Sequence, residues 1–253
     1  MTRPAVEKIP PLTYGEYVAE LRFFCRQRGL SLRRLGAVSG YDLLMVSGGA
    51  ARPRRTLVFC GGIHGDEISG PLAILELVRR FDRTRLRRIR VILLPVANPW
   101  GFDHGRRNNA AGRNLNRGFR RARLTGESRL LHGAVAKARP DLFLSLHEDD
   151  VEPSLYMYAY GDHGQASPVR QIIKTAGRRH LPLSKSRRIE RRPVSDGVIF
   201  NVDDGSFEHR VRLDGAVESI CLELPDRRPL VRRIKAAVAV MSSLVRHYED
   251  QSN

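Results

Sequence analysis

The chain has 253 residues, 42% hydrophobic and 28% charged, with a formal net charge of +17. That length holds one large α/β domain with a full core or two small ones, and the composition excludes disordered, coiled-coil and collagen-like chains. No apolar run approaches the roughly 20 residues that span a bilayer, and the N-terminal MTRPAVEKIPPLTYGEY lacks a signal-peptide layout, so a cytoplasmic protein with no membrane partner is expected.

A first helix is predicted from Tyr14 to Gln27, where Tyr14, Tyr17, Val18, Leu21, Phe24 and Cys25 recur at helical spacing, with Gly29 as its stop. Extended segments follow at Leu32–Val38 and Tyr41–Ser47, turning at Gly40. The pattern then alternates. Strands are predicted at Thr56–Cys60, Arg90–Val96, Leu142–Leu146, Tyr156–Tyr160 and Ser219–Leu224. Helices are predicted at Ile68–Arg80, Glu127–Ala138, Ser167–Arg179 and Arg227–Tyr248. This order points to an α/β fold: a single domain over 1–253 with a mixed, mostly parallel twisted sheet flanked by helices on both faces.

Cys25, Cys60 and Cys221 lie in apolar settings and read as reduced core residues. The positive charge comes almost wholly from arginines scattered as pairs, such as Arg33-Arg34 and Arg232-Arg233. They gather on no single helix and have no interleaved aromatic platform. They read as a bias toward anionic partners rather than as a nucleic-acid stripe. No Gly-x-Ser-x-Gly occurs, which removes the commonest serine hydrolases.

In open α/β sheets, ligands gather beyond the carboxyl ends of the strands. Four such ends carry unusual polar residues. His64-Gly-Asp-Glu67 follows the first central strand, and its His and Glu can point at one ion, zinc being a common choice for such ligands. Alone, such a pair is more often no more than a loop histidine and a glutamate favouring a helix N-terminus. His147 ends the run Leu142–Leu146, and Glu148, Asp149 and Asp150 beside it suit carboxylates that orient a ligating imidazole. Glu223 interrupts an apolar strand. Desolvation would raise its pKa toward that of a general base, unless it pairs with Arg227 or Arg228. The loop Gly105–Phe119 combines Arg106, Arg107, Arg113 and Arg117 with four asparagines, a composition suited to carboxylates and carbonyl oxygens.

Together, in this order between Leu57 and Leu224, the four pieces resemble the zinc metallocarboxypeptidase family, including its succinylglutamate desuccinylase and aspartoacylase relatives. The resemblance implies one zinc ion held by His64, Glu67 and His147, with Glu223 as the base. It implies that Arg107, in Arg-Asn-Asn-Ala-Ala-Gly, polarises the scissile carbonyl, and that Asn116 and Arg117, in Asn-Leu-Asn-Arg-Gly-Phe, grip the substrate carboxylate. There are departures from the family pattern. Asn114 stands where it has Asp, Gly118 where it has Asn, and no tyrosine occurs over 195–209, which leaves Tyr156 and Tyr158 as candidates for an active-site tyrosine.

The expected activity is hydrolysis of an amide or peptide bond beside a carboxylate-bearing residue, on peptides that include the cell-wall type. The alternative is deacylation of an N-acyl amino acid. Relatives of that kind carry a further β-rich domain after the catalytic Glu, and here about thirty residues follow Glu223, reading as one amphipathic helix. A third reading, from another class, is a basic nucleic-acid-binding protein on a hydrolase scaffold. Asp203, Asp204 and Glu208 read first as a solvated loop and second as a face for a cationic side chain such as lysine.

Overall fold

Local signals set the first element. In helix α1 (Tyr14–Arg28), Thr13 accepts from the Glu16 amide at 3.2 Å while the Glu16 carboxylate accepts from the Thr13 amide at 2.8 Å. These bonds satisfy two of the helix's free amides. Gly29, at φ +61°, ends it. The computed structural model describes residues 12–82, 84, 86–120, 124–161, 167–200 and 202–252. Most of the segment weighed against a signal peptide therefore lies outside the described residues.

Beyond α1 the strands are β1 (Ser31–Val38), β2 (Tyr41–Gly49), β3 (Arg55–Gly61), β4 (Ile89–Leu94), β5 (Leu142–Asp149), β6 (Tyr156–Tyr160), β7 (Arg188–Ile189), β8 (Arg192–Pro193), β9 (Val198–Phe200) and β10 (Glu218–Pro225). The helices are α2 (Ser69–Arg79), α3 (Pro99–His104), α4 (Gly126–Ala138), α5 (Pro168–Gly177), α6 (Phe207–Leu213) and α7 (Leu230–Gln251). Eight strands form one mixed sheet in the order β1-β2-β4-β3-β5-β10-β6-β9, and its centre, β4-β3-β5-β10, is parallel throughout. The small β7–β8 hairpin, α3, β9 and α6 were not among the predicted elements. Each is short: α3, α6 and the hairpin have charged or proline-bearing sequences, and the three apolar residues of β9 are too few to show a period.

The central strands are buried on both faces, and strand alternation divides their side chains between two cores. Leu57, Phe59, Leu142, Leu144, Ile220 and Leu222 pack under α1, α2, α5 and α7. Val58, Cys60 and Phe143 pack with Leu131 and Val135 of α4 and Phe207 and Val211 of α6. Helices on both faces make the continuous apolar runs of β3 and β5 stable. The chain crosses from β3 to β4 on one side and later reaches β5 on the other. The carboxyl ends of β3 and β5 therefore flank the switch point where a crevice opens. Among the described residues, no helix is long and apolar enough to cross a membrane.

One buried ion pair locks the last helix under this crevice. Arg233 of α7 reaches the Glu148 carboxylate and, at 3.2 Å, that of Asp226, and both Arg233 and Glu148 are almost wholly buried. Burial lifts the Glu148 pKa to about 6, with Arg233 opposing that rise. Arg233→Leu would strand a carboxylate in the core and should cost about 3 kcal/mol at pH 8. Without Arg233, folded Glu148 binds a proton more readily than in the unfolded chain, so the variant should lose stability as pH rises from 5 to 8. Urea unfolding at the two pH values checks this. An equal deficit at both would show that the loss is packing alone.

Candidate metal centre

Two loops are laced together to bring His64 and Glu67 inward. After β3 the carbonyls of Gly61 and Gly62 accept from the amides of Ala97 and Asn98 at 2.9 and 2.8 Å, which fixes the chain leaving β4 alongside. Asn98 then caps α3 through the Gly101 amide at 3.0 Å. Gly62 needs its φ of +62°, and a Cβ on Gly65 would stand 2.0 Å from the Gly101 backbone. Only glycine permits this approach. His147 arrives from β5, 1% exposed.

The three side chains meet. His64 Nδ1 lies 2.7 Å from one Glu67 oxygen, His147 Nδ1 lies 2.9 Å from the other, and the two Nδ1 atoms are 3.3 Å apart. Each ring turns its Nε2 to a protein acceptor, Asn114 Oδ1 at 3.1 Å for His64 and Glu208 Oε1 at 3.3 Å for His147. With a cation at the centre, a ring so placed would carry its hydrogen on Nε2 and turn the Nδ1 lone pair inward. Two imidazole nitrogens and two carboxylate oxygens thus face one another in a buried space, an arrangement that calls for a cation. Burial opposes charge on His147, yet Glu67 and Glu208 hold its pKa well above the ordinary value. Burial would likewise lift the Glu67 pKa, but His147 and His64 pull it well below the usual carboxylate range. The two-nitrogen, one-carboxylate donor set suits zinc.

The partners of the imidazoles correct the sequence reading. Glu148, Asp149 and Asp150 do not orient His147. The strand runs on to Asp149, so alternation turns Glu148 to the opposite face, where it accepts from the Ser69 amide and pairs with Arg233. Asp149 accepts from the Tyr156 hydroxyl at 2.8 Å. The role falls instead to Asn114 and to Glu208, which is neither in a loop nor solvated. It is fully buried in α6 and accepts from Ser145 and, at 3.2 Å, from Asn116 Nδ2. Burial would lift its pKa, but His147 and Ser145 hold it down at about 2. The only available signal was a Ser206 cap before Phe-Glu-His-Arg-Val, too short to separate from its polar surroundings.

The remaining candidates ring a cavity of about 530 Å³ above this centre. Arg107 Nη1 donates to Glu67 at 2.8 Å. Glu223 sits opposite His147 in the parallel β5–β10 register and pairs with neither Arg227 nor Arg228; the Cys221 thiol is 3.4 Å from its carboxylate. Burial pushes its pKa up to about 8, with His147 working against the rise and Glu67 adding to it. Arg117 lies 3.3 Å from Asp204 and keeps half its side chain exposed. Asn116 is buried and engaged at both ends of its amide, accepting from the Phe207 amide at 2.9 Å and donating to Glu208. Tyr156, Tyr158 and Tyr160 share one strand face along the wall, and Tyr158 donates to Glu190 at 2.9 Å. A second grouping, His147, Glu208 and Cys221, shares His147, but its Nε2 is already turned to Glu208.

Residues 53–247 match the succinylglutamate desuccinylase/aspartoacylase catalytic-domain family. Among solved structures, a candidate metallopeptidase from Shewanella amazonensis is 27% identical with a TM-score of 0.87, covering 97% of each chain. Another, from Shewanella denitrificans, is 30% identical with a TM-score of 0.83, over 92% of this chain and 89% of that one. A metallo-carboxypeptidase from Burkholderia cenocepacia shares the fold at 20% identity and a TM-score of 0.71, over 94% and 69%. No curated protein matches the chain.

The close approach at Gly65 gives a direct check on how the centre is framed. Gly65→Ala should destabilise the fold by about 2 kcal/mol, because backbone rather than a flexible side chain must move aside. Thermal unfolding measures this. A melting temperature equal to that of the parent would mean that the two loops are not locked as described.

Proposed function

Because the chain belongs to the succinylglutamate desuccinylase/aspartoacylase catalytic-domain family, we propose that it is a zinc-dependent hydrolase that cleaves an amide or peptide bond beside a carboxylate-bearing residue. The observation that carries this is the convergence of His64, Glu67 and His147 on one point, with Glu223 one strand away at the cavity floor. A divalent ion held there by His64, Glu67 and His147 would supply Lewis-acid polarisation of a carbonyl and lower the pKa of water.

The chain's own residues do the rest. Glu223, desolvated and flanked by His147, takes the proton of the attacking water and returns it to the leaving amine. Arg107, at the cavity rim, hydrogen-bonds the carbonyl oxygen as it gains charge. Arg117 offers a half-exposed guanidinium fork to the substrate carboxylate. Asn116 borders the same subsite, and its amide holds Arg117's strand of loop against α6.

The cavity lining favours a peptide with a cationic group. The carboxylates of Asp66, Glu67, Asp149, Asp150, Glu190, Asp204, Glu223 and Asp226 along the lining outnumber the three guanidiniums, of Arg107, Arg117 and Arg192. A cleft of that sign concentrates ammonium-bearing substrates and repels phosphate polymers, which weighs against the nucleic-acid reading. It also disfavours dianionic N-acyl amino acids. Family membership itself favours that second activity, so both substrate classes belong in the assay.

Purified protein should carry about one zinc per chain, and His64→Ala should remove it while the fold persists. Glu223→Gln should keep the metal and lower kcat by about 10²–10⁴-fold. Arg117→Ala should raise KM for substrates with a free carboxylate and leave amidated analogues unchanged. A panel of C-terminally lysine-bearing dipeptides and N-acetyl and N-succinyl amino acids, assayed for amine release, separates the two activities. Equal turnover by wild type and Glu223→Gln would remove Glu223 as the base.

A further inference from the structure

The two imidazoles rest on unequal supports. His64 Nε2 meets the neutral amide oxygen of Asn114, whereas His147 Nε2 meets the carboxylate of Glu208. Glu208 is fully buried, and among the described residues its side-chain partners are Ser145, Asn116 and His147, none of them an arginine or lysine. A buried anion is costly unless hydrogen-bonded and matched by opposite charge. Ser145 and Asn116 supply hydrogen bonds but no charge. Among the described residues, positive charge reaches Glu208 through the His147 ring. Its backbone is fixed as well: the Ser219 hydroxyl donates to the Glu208 carbonyl at 2.7 Å, and Asn116 accepts from the preceding amide at 2.9 Å. The carboxylate is therefore held on His147 from three sides.

We infer that Glu208 is a positioning residue that fixes Nδ1 of His147 as the ligating nitrogen and makes His147 the stronger of the two imidazole ligands. A carboxylate accepting from Nε2–H raises the basicity of the opposite nitrogen more than an amide oxygen does. The inference rests on the proposed zinc site and assigns its holding power to a residue outside the ligand set.

The test reads the metal rather than turnover. In zinc-loaded wild type labelled with 15N-histidine, His147 should show a hydrogen on Nε2 and a ligating Nδ1; the reverse tautomer overturns the inference. Glu208→Gln keeps the volume and one acceptor, and should weaken zinc binding about 10–100-fold in competition with a chelator. The cobalt-substituted variant should also show a shifted visible spectrum. If Glu208 only anchors α6, the metal-free variant would lose stability while zinc affinity stayed within about threefold of wild type, and the inference falls. Should the variant fail to fold, the wild-type tautomer decides. Failure of wild type itself to take up zinc would remove the metal-site reading and this one with it, whereas equal affinity in both forms would overturn this one alone.

Discussion

One constraint organises the molecule: the Glu67 carboxylate and two imidazole nitrogens are buried within hydrogen-bonding distance of one another. Groups that bear lone pairs do not assemble in a low-dielectric space without a cation to share. The chain meets the cost of holding them with rigid parts. His64 and Glu67 come from a glycine-framed turn pinned to the loop after β4, and His147 from a strand buried on both faces. The supports of the rings come from elsewhere, Asn114 from the loop before Phe119 and Glu208 from α6. The site exists only when β3, β5 and β10 are paired and α6 is docked on them. Cation binding at such a site is folding free energy as well.

How much of this is legible in the sequence depends on how each residue relates to an apolar run. β3, β4, β5 and β10 are readable because they are continuous and apolar. His64, His147 and Glu223 stand out as polar residues where such runs end or are interrupted. The family resemblance, read from four ordered pieces, agrees with the family that residues 53–247 match. Glu148 was misread for a specific reason. The predicted strand stopped at Leu146, so the alternation that turns His147 and Glu148 to opposite faces was not carried three residues further. Glu208 was misread for a different one. Its burial is set by Phe207 stacking on Phe119 at 4.1 Å between ring centres, a contact across some ninety residues that no local pattern contains. Asn109 shows the same limit. It looks like a recognition residue but accepts from the Ala111 and Arg113 amides at 3.1 Å and so shapes its own loop.

The charge of the protein has to be argued on two length scales. A net +17, much of it on surface arginines, gives a positive far field, which at physiological ionic strength decays over about 8 Å. Inside the crevice the sign reverses, because the loop after β3, the end of β5 and its following loop, the β7–β8 turn, the segment before α6, and β10 with its following loop deliver eight carboxylates to one cavity. A low-dielectric wall sharpens that local field, so a ligand in the cleft responds to the carboxylates and not to the distant arginines. Two of the three arginines that line the cavity stand beside acids, Arg107 on Glu67 and Arg117 on Asp204. Each partner tempers the pull of its guanidinium on anions at large while leaving part of the fork free for a carboxylate of the right geometry. A molecule with an ammonium group at one end and a carboxylate at the other satisfies both signs at once. A zwitterionic peptide fits that description, and a polyanion does not.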